Sequence, residues 1–250
     1  MIIVKDLKKR FTQNGPFITD GVNLEIPNGK MTCIIGRSGE GKSVLLKQII
    51  GLIRPTSGQI IIDDIDVTAL SDKELTKIFK KMGYVFQFAA LLDSLNVLEN
   101  VGLPLLEKGM SLKEVEPIVR QKLALVDLSA DETLHKYPSE LSGGMKKRVG
   151  LARTLVTEPE IILYDEPTTG LDPITTRIIH ELMASMQKSS RLLLWLFHTT
   201  LKFLNMLTRL RYLKTAKFNI LAMLQLSGKA TTRTSTSLFT AFQKVQSRLS

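Results

Sequence analysis

Acidic residues stop at Glu181, proline stops at Pro173, and Gly228 is the only glycine beyond Gly170. Cysteine is nearly absent too. Cys33 stands alone, which excludes an internal disulfide framework and fits a reducing compartment. No apolar run is long enough for a membrane-spanning helix, and the first residues lack the layout of a signal peptide. A charged fraction of 23% against 44% hydrophobic residues excludes a disordered chain, and 250 residues suffice to bury a core.

The missing acids explain the net charge of +10. Residues 1–181 carry 23 Lys+Arg and 24 Asp+Glu, whereas residues 182–250 carry 11 Lys+Arg and no acid. A basic chain ordinarily suggests nucleic acid or an anionic membrane. Here the body is neutral and the basicity belongs to a tail of different composition, so no nucleic-acid partner is expected of the body.

What is present in the body is an alternation of β-rich and helical runs, the pattern of an α/β domain. Residues 2–5, 17–26, 31–35, 59–62, 84–86 and 161–165 read as strands. Residues 44–53, 95–126, 144–156 and 174–186 read as helices. Ser71 is placed to cap another helix through Lys81, with Glu74 as its capping-box partner. No internal repeat is visible.

Gly36, Arg37, Ser38, Gly39, Glu40, Gly41, Lys42 and Ser43 fit G-x-x-x-x-G-K followed by Ser or Thr, between an apolar strand and a helix. Glycines let successive backbone N–H groups approach phosphates closely. Lys42 adds a point charge at the β- and γ-phosphates, and Ser43 offers a hydroxyl to Mg²⁺. Asp165 ends an apolar strand, where it can support Mg²⁺ through water. Glu166 follows it and can orient or deprotonate an attacking water. Ser142, Gly143 and Gly144, within Leu141-Ser-Gly-Gly-Met145, form a second helix N-terminus suited to phosphate.

This combination resembles the nucleotide-binding domain of ATP-binding cassette (ABC) proteins over about residues 1–186. The resemblance implies a P-loop NTPase fold with a RecA-like core, an N-terminal antiparallel β portion and a helical signature subdomain. The domain would span 1–189, with the helical part about 88–156 and an atypical basic tail over 190–250. It implies ATP and Mg²⁺ as cofactors. Gln87 matches the family's Q-loop, which contacts Mg²⁺ and water and senses the membrane partner. Leu141–Met145 matches the signature, with Met145 in place of Gln, and Thr169-Gly-Leu-Asp172 matches the D-loop. Phe11 sits where the family stacks an aromatic on adenine, although a core residue at a strand end fits equally. The family dimerises head to tail, each P-loop facing the other subunit's signature, on the cytoplasmic face of the inner membrane beneath an integral permease.

A narrower resemblance lies in Phe86-Gln-Phe-Ala-Ala-Leu-Leu-Asp-Ser-Leu-Asn-Val-Leu-Glu-Asn-Val101. It is similar to ATPases of Mla/Ttg2-type transporters, which move phospholipids and are linked to toluene tolerance. Tyr137–Arg148 and Met145 fit the same subfamily, which implies lipid transport and an MCE-type substrate-binding component. His135 and His180 read as surface residues, Cys33 as a buried small hydrophobe, and Lys146–Arg148 as a solvated charge run.

The tail departs from the family, which continues with a strand, a Ser-His-Asp switch, a helix and a hairpin. His198 lies 32 residues after Glu166 and is the candidate switch histidine, yet Phe197 precedes it and Thr199 follows it. A shifted reading frame accounts for this. Trp195 and Met206 each have a single codon. With synonymous codons chosen elsewhere, reading one base earlier turns Trp195–Thr200 into Val-Val-Val-Ser-His-Asp. The same shift turns Leu201–Thr208 into Phe-Glu-Ile-Phe-Lys-Tyr-Ala-Asp, and Lys214–Lys217 can yield Glu-Asp-Gly-Lys-Ile. The frame also explains a stretch without acids where about nine are expected. The alternative is a natural basic extension, with an amphipathic helix in 201–226 that binds anionic lipid or RNA. Two other readings stay open: an ABC protein of DNA repair or translation, and a product of a broken gene that binds ATP but hydrolyses it poorly.

Overall fold

A computed structural model describes residues 1–29, 31–36, 39–186, 192–198 and 218–219. The chain divides into two compact units, Met1–Phe79 with Arg191–Ser250, and Lys80–Ser190.

The first unit opens with an antiparallel sheet. Strands β1 (Ile2–Lys9), β2 (Thr19–Ile26), β4 (Ser57–Ile62) and β5 (Ile65–Asp66) lie in the order β2-β1-β4-β5. Alternation decides which face is buried: Ile2 and Val4 of β1 and Val22, Leu24 and Ile26 of β2 are inside. β1 runs past the expected end at Lys5 because a bulge between Val4 and Leu7 resets the register. Asp6 sits there at φ 43°, and Gly58 faces it so closely that a Cβ would lie 2.3 Å from the Asp6 carbonyl. Asp63 and Asp64, at φ 49° and 67°, make the two-residue turn from β4 to β5, a conformation short acidic side chains tolerate.

β3 (Met31–Gly36) pairs in parallel with β8 (Leu192–His198), in register from Met31 opposite Leu193 to Gly36 opposite His198. β9 (Phe218–Asn219) pairs in parallel with Met31 and Thr32. These two residues are therefore extended, against the basic helix considered for 201–226. Apart from β8 and β9, the tail expected over 190–250 lies outside the described residues. Helix α1 (Lys42–Ile49) follows β3 and buries Leu45, Leu46 and Ile49. Helix α2 (Asp72–Phe79) starts as its sequence requires, with Glu74 accepting from the Ser71 N–H and hydroxyl at 3.0 and 2.6 Å.

In the second unit, β6 (Met82–Val85) pairs in parallel with β7 (Ile161–Asp165), and both strands are wholly buried. Continuous rather than alternating apolar sequence is what such a strand needs. The helical run expected over 95–126 is two helices, α3 (Val97–Leu106) and α4 (Leu112–Leu125), parted at Gly109 with φ 91°. Each begins with a capping box, Asn96/Glu99 and Ser111/Glu114. A short helix α5 (Ala130–Thr133) precedes α6 (Gly143–Leu155), and α7 (Pro173–Met186) closes the unit. Helices α3, α4 and α6 pack on one another. Gly102 lets α3 and α4 approach, since a Cβ there would lie 2.4 Å from Val115 Cγ1.

Candidate nucleotide site

The turn from β3 into α1 carries the candidate phosphate loop. Arg37 and Ser38 lie outside the described residues. Gly39 and Gly41 take φ 79° and 84°, and a Cβ on Gly41 would lie 2.7 Å from the Ile18 carbonyl. Only glycine satisfies both demands at that position. Gly41 caps α1, whose first turn holds no acid, so the positive end of the helix dipole is turned to the loop. Lys42 is buried at 4% exposure, while Glu40 and Ser43 are half-buried. In the same unit the backbone of His198 stands level with Gly36, the first residue of the motif.

Phe11 is 61% exposed, with the Lys9 ammonium 5.3 Å from its ring centroid. It is not a core residue. An exposed ring beside a cation is free to stack on a planar base.

The acidic strand end belongs to the second unit. Asp165 is only 5% exposed at the end of β7, and the Tyr84 hydroxyl donates to its Oδ2 at 2.8 Å. Burial, then the Asp165 charge, push the Tyr84 phenol well above its usual pKa, so it stays a donor. Glu166 lies at φ 47°, a left-handed conformation unusual for its type. The Thr169 hydroxyl donates to Glu166 Oε2 at 3.1 Å, and Lys147 donates its Nζ to the Thr169 carbonyl. Burial lowers the Lys147 pKa, while the nearby Glu166 charge acts in the opposite sense.

Ser142 caps α6, its Oγ accepting from the Met145 N–H at 3.2 Å. Ser142 and Gly143 are exposed, and a Cβ on Gly143 would meet nothing within 4 Å. Gly144 differs: a Cβ would lie 2.9 Å from Thr175 Cγ2, so the second glycine serves packing against α7. Both Asp172 carboxylate oxygens cap α7. They accept from the Ile174 and Thr175 N–H groups, each at 2.9 Å, and from the Thr175 hydroxyl at 2.6 Å. The Thr175 hydroxyl and then its N–H hold the Asp172 carboxyl below the usual range. An assignment of Asp172 to nucleotide binding thus meets a carboxylate already engaged with its own helix.

Gln87 is half-buried, between exposed Phe86 and Phe88. The loop it starts is braced from behind. Arg153 donates to the Ala90 and Ala89 carbonyls at 2.9 and 3.1 Å. Fully buried Asn100 donates to the carbonyls of Leu92, Leu95 and Asn96 and accepts from the Leu92 N–H.

Two readings of the sequence are corrected. His180 is not a surface residue; it is 6% exposed, and burial lowers its pKa to about 4. His135 is exposed as expected. Lys146–Arg148 is not a freely solvated run, since Lys147 reaches Thr169 and Arg148 NH1 donates to the Asp127 carbonyl at 2.6 Å. The side chains of Cys33 and His198 lie outside what is described. Tyr84 carries no functional signal in the local sequence, and Lys147 only its place in a charged run after the glycine signature, whereas Thr169 falls in the Thr169–Asp172 stretch that matches the family's D-loop.

Among the described residues no group of three or more His, Cys, Asp or Glu is placed to hold a metal. Mg²⁺ fits that situation, because it is commonly bound by one or two protein oxygens together with substrate phosphates. The Ser43 hydroxyl and the buried Asp165 carboxylate are oxygen donors of that kind. No helix among the described residues is long and apolar enough to cross a membrane.

Residues 19–169 match the model of a protein family described as ABC transporter. Over 183 residues the chain is 46% identical to the probable ribonucleotide transport ATP-binding protein mkl of Mycobacterium leprae, covering 73% of this chain and 52% of that protein. It is 44% identical over 189 residues to the methionine import ATP-binding protein MetN of Carboxydothermus hydrogenoformans, covering 75% and 56%. The chain thus spans about half the length of the curated relatives it matches. Among solved structures, the dimeric ATP-binding cassette MJ0796 in a post-hydrolysis state with ADP and Pi is similar at TM-score 0.73 and 35% identity, over 81% of this chain and 89% of that one.

Proposed function

Because the chain belongs to the ABC transporter family and has its ATP-binding fold, we propose that it hydrolyses Mg·ATP to drive a membrane permease. The observation that carries this reading is the glycine-turned entry into α1, with Lys42 behind Gly41 and no acid in the first turn. Mg²⁺, when bound, supplies charge neutralisation at the β- and γ-phosphates. Lys42 and the α1 N–H groups hold those phosphates, and Ser43 and Asp165 offer oxygens to the metal. Glu166 takes or orients the proton of the attacking water. Phe11 stacks on the base, Gln87 lies between metal and permease, and His198 is the candidate γ-phosphate contact.

Exposure of Ser142 and Gly143 supports their serving the ATP of a second subunit in a head-to-tail homodimer. The exposed Phe86, Phe88 and Leu92 on a braced loop support a permease contact there, at the cytoplasmic face of the inner membrane. For the cargo, the Phe86–Val101 stretch and Met145 support phospholipid, with an MCE-type component. A second reading, import of a small polar solute, draws on the mkl and MetN names.

The test is phosphate release by the purified chain. Lys42→Ala should lose nucleotide binding. Glu166→Gln should keep binding and lose about 10²–10⁴-fold in turnover. An unchanged rate in Glu166→Gln overturns the assignment. With the permease reconstituted, phospholipid transfer between vesicles supports the lipid reading, and methionine or ribonucleotide uptake without it supports the second.

A further inference from the structure

We propose that Tyr84 is a positioning residue for the Mg²⁺ of this ATPase, acting through Asp165. This inference rests on the assignment of Asp165 to the metal. In the parallel pair β6–β7, Tyr84 stands opposite Leu163. Residues opposite each other share a face of the sheet, and so do Leu163 and Asp165, two apart on one strand. The phenol leans along the strand and its hydroxyl donates to Asp165 Oδ2 at 2.8 Å.

Both groups are buried, at 9% and 5% exposure, so the bond is shielded from competing water. The Tyr84 ring is itself fixed, edge-on to Phe86 with centroids 4.6 Å apart. Phe86 adjoins Gln87, so the aromatic pair links the residue that leads the loop to the carboxylate at the strand end. A hydrogen bond to one oxygen fixes the plane of a carboxylate and the direction in which it meets a metal-bound water. Groups that orient a metal's carboxylate in this way contribute strongly to its affinity. Phenylalanine at the same position would pack equally well and hold nothing.

The experiment uses the 250-residue chain, Mn²⁺ as a paramagnetic probe and the non-hydrolysable analogue AMP-PNP. Nucleotide affinity is measured with and without Mn²⁺, and Mn²⁺ affinity by electron paramagnetic resonance, in wild type, Tyr84→Phe, Asp165→Asn and the double variant. Tyr84→Phe should bind Mn²⁺ about 10-fold more weakly with nucleotide present, leave metal-free AMP-PNP binding unchanged, and broaden the Mn²⁺ spectrum. In the Asp165→Asn background the same change should have no further effect on Mn²⁺. Equal Mn²⁺ affinity in Tyr84→Phe and wild type, with Asp165→Asn impaired, overturns the role of Tyr84 and leaves the metal assignment standing. If Asp165→Asn also binds Mn²⁺ normally, both fall. Parallel losses of metal-free binding and melting temperature in Tyr84→Phe would mark a purely structural residue and overturn the proposal as well.

Discussion

Lys147 of α6 donates its Nζ to the carbonyl of Thr169, whose hydroxyl in turn donates to Glu166. The helix that starts at the exposed Ser142 and Gly143 is thereby tied to Glu166, the residue proposed to handle water. The ammonium is half-buried and lies close enough to feel the Glu166 charge. Lys147→Met keeps the stem and deletes the donor. It should lower turnover about 10-fold while ATP affinity stays within about twofold, the size expected when a coupling contact rather than a binding contact is lost. Single-turnover phosphate release alongside equilibrium ATP binding checks this. A matching loss in both would make Lys147 part of the binding surface instead.

His180 sets a pH dependence whose sign follows from burial. Its folded pKa, about 4, lies below the ordinary value of 6.5. The unfolded chain therefore takes up the proton first. The stability contributed by neutral His180 is complete above pH 6.5 and is lost as pH falls from 6.5 towards 4. By pH 5 that loss is about 2 kcal/mol. Urea unfolding at pH 7 and pH 5 should show a smaller drop in His180→Leu than in wild type. Equal drops would mean that the imidazole titrates alike in both states.

Asn100 should matter more to stability than its polar side chain suggests. It is fully buried, and its side chain bonds backbone groups of the Leu92–Asn96 loop. Replacement by Leu deletes four hydrogen bonds that hold this loop. The cost should be about 2–4 kcal/mol, measured by urea unfolding. At the proposed permease contact the same variant should weaken capture, because the exposed Leu92 loses its brace.

These cases mark what the sequence could reveal. β7 was read to its last residue because a buried parallel strand is a continuous apolar run with a sharp polar end. The glycine turn into α1 is legible because phosphate chemistry ties such glycines and a lysine to fixed spacings. β1 was cut short at Lys5 because the bulge at Asp6 breaks the alternation that defines a strand. The split at Gly109 was missed because α3 and α4 are apolar enough on either side to read as one helix. Tyr84 and Asp165 are 81 residues apart and meet only through strand pairing, which no local pattern encodes. Burial of His180 was missed for a similar reason. A lone imidazole in an amphipathic helix carries no sign of its depth.

The tail yields the last prediction. β8 runs in register with β3 up to His198 opposite Gly36, so the chain reaches the phosphate loop with a histidine at the strand end. Yet neither a serine before it nor an acid after it is there to hold the ring, and no acid follows anywhere in the tail. With synonymous codons chosen, a one-base shift can yield Ser-His-Asp together with the missing acids, which favours a shifted frame over a natural basic extension. Resequencing the gene across the codons for Met183–Trp195 should therefore reveal a missing or extra base, and the tryptic peptide of residues 192–202 should be absent from the host's protein. Detection of that peptide would establish the frame as written. The purified chain should then bind ATP better than it hydrolyses it, and steady turnover abolished by His198→Ala would show that the histidine works without its usual neighbours.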